Sequence, residues 1–242
     1  VTYYDERFYK FTLRNGTVDY LPSVTTKLQI IEKPWLARWR GDVGNEVADW
    51  RSFTAAERGS RIHHAWYTYT QGGAVLYQPW QRPTFTQAQL NEYETQYQGK
   101  VAILQYQDEQ LAMARLMQWD QVIKPVILAS ELIVYTFLTR DAGTLDNVMD
   151  IAAGSYLVNG ATPVTLPAGR YVVDLKTGKE VDDQAFLQIA PYAKCYESMG
   201  HGTITVGLIL HTGASTTKGI EGIATLYRSA AQLAQDYADY RS

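Results

Sequence analysis

The sequence predicts an α/β protein: a mixed central β-sheet flanked by helices, with an N-terminal hairpin and helical additions. Three observations lead there. A hairpin-like opening is followed by helical spacing of apolar residues through the first half, the period changes to strand alternation after Pro125, and a helical pattern returns at the end. At 242 residues and 46% apolar composition, the chain fits a single domain over 1–242 with enough material for a real core. Its expected parts are a hairpin and helical addition (1–53), a helical part (54–124), a sheet core (125–212) and a C-terminal helix (213–242).

The elements follow in order. Tyr3 to Leu13 alternates loosely, breaks at the hairpin-type turn Asn15-Gly16 and resumes from Thr17 to Leu21. Ser23 is the expected N-cap of a helix through Thr26 to Ile31, and Pro34 the first residue of the next. Thr54-Ala55-Ala56-Glu57 reads as a capping box opening a helix through Ile62, Ala65, Trp66 and Tyr69, stopped by Gly72-Gly73. A second helical block spans 86–122, with Gly99 as a divider. Val126 to Phe137 and Gly143 to Ile151 form a strand pair, followed by a small hairpin turning at Asn159-Gly160, and then by Tyr171-Val172-Val173, a buried strand. Asp182-Asp183 caps a helix through Phe186, Ile189, Ala193 and Met199, in which Pro191 predicts a kink or irregular turn. Thr203 to His211 is the expected last strand, before an amphipathic helix through Ile220, Ile223, Leu226, Tyr227, Ala230, Leu233 and Tyr237. There is no internal repeat.

Composition limits the function classes. A net charge of -3 argues against indiscriminate coating of nucleic acid, which needs clustered Lys and Arg, although Lys27, Lys33, Arg38 and Arg40 against Glu32 make a local basic excess. That excess either meets phosphates or is a solvated helix face. The 18 tyrosines and six tryptophans offer surfaces that stack on bases or simply pack. The lone Cys195 excludes an intrachain disulfide framework and a four-cysteine iron–sulfur cluster or zinc ribbon, and it fits a reducing compartment. No apolar run reaches the roughly 20 residues of a membrane-spanning helix, and no signal-peptide pattern opens the sequence.

The chemistry gathers in three stretches: Gly143-Thr144-Leu145-Asp146, Tyr171 to Lys179, and Gln188-Ile189-Ala190-Pro191-Tyr192. Strand alternation puts Asp174 and Lys176 on one face, at a strand end that Thr177-Gly178 turns away from the core. Hydrolysis of a phosphodiester needs an attacking hydroxide, neutralisation of the phosphoryl oxygens and protonation of the leaving oxygen, and a divalent metal supplies most of this. Mg²⁺ asks for hard oxygen ligands, so Asp146 and Asp174 are the expected pair, with Lys176 stabilising charge on phosphorus or orienting water. Gln188 and Tyr192, four apart on the next helix, share a side from which to bind water or phosphate. Glu131 offers a carboxylate to a second metal or a hydrogen bond to a ligand. Asp150, four residues along the strand from Asp146, is a rival ligand on the same face.

In the strings RGSRIHHAW, AGTLDNVMD, VVDLKTGK and QIAPYAKCY, the order His63, Asp146, Asp174-Leu175-Lys176, Gln188 and Tyr192 resembles the PD-(D/E)XK nuclease superfamily. It is most similar to the RecB-like exonuclease branch, which includes phage recombination exonucleases and the mitochondrial genome-maintenance exonuclease. The resemblance covers 22–196, and it is the ordered set, not any one triplet, that is specific. It implies a restriction-endonuclease-like core, Mg²⁺ or Mn²⁺ as cofactor and DNA with free ends as substrate. By position it implies metal ligation by His63 (four residues after Gly59), Asp146, Asp174 and the carbonyl of Leu175, with His64 pointing elsewhere. Lys176 would be the catalytic lysine and Gln188 with Tyr192 the helix motif of the catalytic set. The stretch Leu21 to Thr26 is also similar to a segment of the phage and mitochondrial members, and Ser23 and Thr25, with Arg61 and Glu131, are the expected substrate contacts. Asp146 and Asp174 stand further apart than is usual in the branch, by the length of the added hairpin. The cluster-binding cysteines of some members are absent, so no iron–sulfur cluster is expected.

The leading expectation is therefore a metal-dependent DNA exonuclease of phage or bacterial recombination and repair. A bacterial or phage-infected cytoplasm is the expected location, with the mitochondrion as alternative. A single-strand-annealing or recombination protein and further copies of the chain are candidate partners, and no membrane is. Two other readings stay open: a structure-specific endonuclease on the same fold, and a non-catalytic nucleic-acid-binding module.

Overall fold

A computed structural model describes residues 1–3, 6–31, 34–158, 163–213 and 222–242. The chain opens with β1 (Thr2–Tyr3), β2 (Glu6–Thr12) and β3 (Val18–Pro22), an antiparallel three-stranded sheet whose second turn falls at Asn15-Gly16. Gly16 sits there at φ 82, a conformation cheap only for glycine. The Ser23 side chain accepts from the Thr26 amide and caps α1 (Val24–Leu28) as expected, and Pro34 opens α2 (Pro34–Val43). Next comes α3 (Asn45–Thr70), a single helix of 26 residues. The expected helix start at Thr54 is not there: the Thr54 hydroxyl donates back to the Trp50 carbonyl inside the helix, as mid-helix threonines do.

The helical block from 86 is also broken. It contains α4 (Gln87–Gln96), β5 (Val101–Leu104) and α5 (Gln107–Ile123), and β5 pairs in parallel with β4 (Ala74–Tyr77). Then come β6 (Val126–Thr136) and β7 (Asp141–Ile151), paired antiparallel as expected, and the small hairpin β8 (Gly154–Tyr156) and β9 (Val164–Leu166). Its Asn159-Gly160 turn lies outside the described residues. After it run β10 (Gly169–Lys176), α6 (Gln184–Ser198) and β11 (Val206–His211). The α6 helix continues through Pro191. The last strand is not β11 but β12 (Ala224–Ser229), which takes up the first part of the expected final helix. That helix, α7 (Ala230–Arg241), starts at a capping box on Ser229. Ile220, expected to open it, lies outside the described residues.

The central sheet is mixed, in the order β12-β11-β10-β7-β6, with β10 and β11 parallel and the other neighbours antiparallel. One face packs Met149, Tyr171, Val173, Leu175 and Leu208 against Ile62 and Trp66 of α3 and Leu116 and Trp119 of α5. The other packs Val134, Leu145, Val148, Val172 and Ile209 against Val24 of α1, Ile189 and Ala190 of α6, and Leu233 of α7. Cys195 is buried in this second layer, where desolvation and Asp141 push its thiol up to about 12. Among the described residues no helix is long and apolar enough to cross a membrane.

Candidate active site

The sheet is irregular where its acids sit. Ala129 and Leu132 both pack towards α6, yet Ser130 and Glu131 between them both turn to α3: Ser130 Oγ lies 3.2 Å from Thr70 Oγ1, and Glu131 lies in the cluster around His63. The same slip occurs opposite. Leu145 and Val148 pack towards α6, while Asp146 and Asn147 between them meet His63 and Trp66 of α3. Strict alternation would allow one inward side chain per strand at this level, whereas the paired slips give two. Glu131 carries the slip in β6 with φ 49, a left-handed backbone unusual for a side chain and stored here beside a candidate site.

This slip overturns the rival role of Asp150. Because Asp146 and Asn147 share a face instead of alternating, the later residues are reversed and Asp150 points away from Asp146. It forms a cross-strand ion pair with Arg170, 2.9 and 3.1 Å, which holds its carboxyl below the usual range. The added hairpin also falls clear of the site. It connects the ends of β7 and β10 at Ile151 and Gly169, five residues or about 17 Å from Asp146, so the ladder still brings Asp146 level with Asp174.

That ladder ends at the Val173–Asn147 pair, and Asp146 fills the gap beyond it. Its Oδ2 accepts the Leu175 amide at 2.7 Å, and its Oδ1 lies 3.2 Å from His63 Nδ1. One ligand atom each from His63, Glu131 and Asp146 lie within 4.8 Å of one another. Two ligands across one Mg²⁺ are about 4.2 Å apart at bonds of roughly 2.1 Å, so a small adjustment of side chains fits an ion. Burial alone would lower the His63 pKa, but Asp146, with Asp174 and Glu131 behind it, outweighs that and carries it to about 9. Glu131 moves up as well, through burial and then repulsion by Asp146. Such a concentration of unneutralised acid around one ring is what a divalent cation relieves.

On the α6 side of the same level stands Asp174, only 4% exposed, so Asp174 and Lys176 are not a solvated surface pair. Lys176 Nζ lies 2.8 Å from Asp174 Oδ2 but off the direction of a hydrogen bond, leaving that buried oxygen without an aligned donor. Lys176 donates to Gln188 Oε1 at 2.8 Å, and Gln188 Nε2 donates to Asp174 Oδ1 at 3.1 Å and Tyr192 Oη at 3.4 Å. Burial raises the Asp174 pKa although Lys176 opposes it. For Lys176 burial favours neutrality, and Asp174 and Asp146 overcome it to push the pKa up.

The expected residues thus fall into two groups. His63, Asp146, Asp174, Lys176 and Gln188 come together, and Glu131 joins them beside His63, exposed on the wall of the cavity in front of it. Three others, Ser23, Arg61 and Tyr192, do different work from that expected. Ser23 is buried and spent on its cap. Arg61, two residues and about 200° around α3 from His63, is bound to the buried Glu109 at 2.7 Å. Tyr192 is buried against Gly143, where its hydroxyl meets Gln188 and not solvent. Leu175 reaches Asp146 by its amide, a contact additional to the expected ligation through its carbonyl. Thr25 is exposed and lines a cavity next to Lys176. Half of the basic excess is consumed as well, Lys27 by Asp141 and Arg40 by Asp49, while Glu32 and Lys33 lie outside the described residues.

Arg7 was not foreseen. It lines a cavity of about 570 Å³ with His63, His64, Glu131, Thr144 and Asp146, its guanidinium 5.1 Å above the Tyr9 ring. His64, expected to point away, thus sits on the rim of that cavity. The Ser23–Thr26 stretch fixes Arg7 in place: the Ser23 amide and the Thr26 hydroxyl both donate to the Arg7 carbonyl, and the Arg7 amide donates back to Thr26 Oγ1. The alternation of Arg7 and Tyr9 on one face of β2 is the sequence signal that could have singled it out.

No protein-family model matches the chain, and no curated protein is similar enough in sequence to lend it a family.

Proposed function

We propose that the protein is a metal-dependent deoxyribonuclease of the PD-(D/E)XK type, an exonuclease acting on DNA ends, on a restriction-endonuclease-like version of its mixed sheet. The observation carrying this reading is the Asp146 carboxylate, which bonds the Leu175 amide between Asp174 and Lys176 while facing His63 and Glu131. It links a cation-competent acid cluster to a buried acid–lysine–glutamine chain. The donors of the cluster are two carboxylates, Glu131 and Asp146, and the His63 imidazole, a mostly hard set suited to Mg²⁺ or Mn²⁺ and short of the nitrogen and sulfur that zinc prefers. Asp174, an expected ligand, stands outside it with Lys176 and Gln188.

His63, Glu131 and Asp146 would hold the metal, which would neutralise phosphoryl oxygens and acidify an attacking water. Lys176, kept protonated by Asp174, presents its ammonium to the charge that builds on phosphorus. Gln188 is a positioning residue: its amide bridges Lys176 and Asp174, and Tyr192 steadies it from inside. Arg7, on the far rim of the metal cavity, is placed to hold a neighbouring phosphate.

End-labelled linear DNA incubated with Mg²⁺ or Mn²⁺ should be degraded from its ends, and covalently closed circles spared. Asp174→Asn and Lys176→Ala should each slow cleavage by about 10³-fold or more. The reading fails if neither metal supports cleavage, or if these variants cut like the wild type. Cutting of closed circles would instead make the protein an endonuclease on the same site.

A further inference from the structure

On the α6 side, Lys176 and Gln188 form one wall of a second cavity, of about 840 Å³. Its other walls are Leu28 of α1, Trp35 and Leu36 of α2, Val181 in the segment before α6 and Ala185 in its first turn. The cavity therefore opens on the catalytic chain from the side opposite the metal cluster. Trp35 is 60% exposed, and among the described residues no aromatic ring packs against it. A large apolar ring facing an apolar cavity beside a phosphate-handling lysine calls for a flat, partly apolar ligand.

We propose that this cavity receives one unpaired nucleobase of the strand being cut, stacked on Trp35, while its phosphate stays at Lys176. The proposal rests on the nuclease reading and adds to it a choice of substrate. Charge on the cavity wall is mixed: Lys176 and Arg40, the latter paired with Asp49, suit a phosphate, while the carboxylates of Glu180 and Asp182 suit the exocyclic amino groups of a base. The volume admits a nucleotide with room to spare, whereas a base inside a duplex has both faces stacked and its edge paired, and so offers no face to Trp35. The enzyme should accordingly favour single-stranded DNA or frayed ends.

The test compares wild type, Trp35→Ala and Trp35→Phe. Since Trp35 is exposed, neither change threatens the fold, and thermal melts check this. Binding of a fluorescently labelled single-stranded oligonucleotide, followed by anisotropy in Ca²⁺, should weaken roughly 10- to 100-fold in Trp35→Ala and recover largely in Trp35→Phe, as loss and return of one base–aromatic stack require. Cleavage in Mg²⁺ should show a matching rise in KM with little change in kcat. An abasic residue placed at successive positions from the end should slow the wild type at one position, and there leave Trp35→Ala unaffected. Equal oligonucleotide affinity of wild type and Trp35→Ala overturns the subsite, including the case where a protein segment fills the cavity instead. Trp35-dependent binding without any cleavage by the wild type overturns the nuclease reading and leaves the subsite standing.

Discussion

His63 gives the sharpest test of the acid cluster, because it can be made without DNA. In the metal-free protein Asp146, Glu131 and Asp174 keep the ring protonated up to about pH 9, against about 6.5 for a histidine in an unfolded chain. A pKa raised by folding contributes stability that is fully present below about pH 6.5 and disappears as pH rises through about 9. A change from 6.5 to about 9 corresponds to roughly 3 kcal/mol, which in a chain of this size is a Tm difference on the order of 10 °C. Other groups titrate in the same range, so the informative quantity is the difference between wild type and His63→Gln. Thermal melts by circular dichroism in EDTA should show the wild type ahead at pH 6 and the gap closing by pH 9.5. Mn²⁺ binding to the wild type should release protons below pH 9, since the cation and the ring proton compete for the same acids. A gap that stays constant from pH 6 to 9.5 would refute the argument, because it would mean that His63 does not owe its charge to Asp146.

Asp146→Asn keeps an oxygen that can accept from the Leu175 amide but removes the charge, so it should fold normally, lose Mn²⁺ affinity at least 10- to 100-fold by calorimetry, and lose cleavage with it. Gly143→Ala would put a Cβ 2.2 Å from the Tyr192 ring, and should destabilise by about 1–3 kcal/mol, read as a lower denaturation midpoint. Arg61→Ala should lower stability by about 2–4 kcal/mol by stranding the buried Glu109, yet leave the KM for DNA unchanged; a raised KM would return Arg61 to the substrate.

Where several residues repeat one period, the sequence was enough to place the element. The β2–β3 hairpin turning at Asn15-Gly16, the Ser23 cap, the β6–β7 pair and the strand that carries Asp174 and Lys176 are all where alternation and turn chemistry put them. The misses are short or two-faced. Val101–Leu104 is four apolar residues between helices, too few to display an alternation, and its strand form depends on pairing with Ala74–Tyr77, a partner that no local pattern reveals. Ile223, Leu226, Tyr227 and Ala230 fit a helical spacing, but the open edge of β11 recruits 224–229 as a strand, and the helix waits for the Ser229 cap.

At the site, the order of residue types along the chain was legible and their direction was not. Alternation put Asp150 with Asp146, and it would be right had β7 been regular. The double slip at Ser130-Glu131 and Asp146-Asn147 reverses that, sending Asp150 to Arg170 and bringing Glu131 to His63. Nothing in the sequence announces the slip, since Glu131 is an ordinary residue for a strand and its positive φ is imposed by tertiary contacts. The contacts on either side are tight: Asn147 is bonded by Trp66 at 2.7 Å and by its own amide to Ser130 at 2.7 Å. These two neutral, well-bonded side chains anchor the slip from the α3 side, so the charged residues beside them need not hold it. The consequence is that removing the anchor should move the acids. Asn147→Ala removes no charged group, and it should separate Glu131 from Asp146 and weaken Mn²⁺ binding by about 10-fold or more. Unchanged Mn²⁺ affinity in a folded Asn147→Ala protein would show instead that the carboxylates and His63 set the slip themselves.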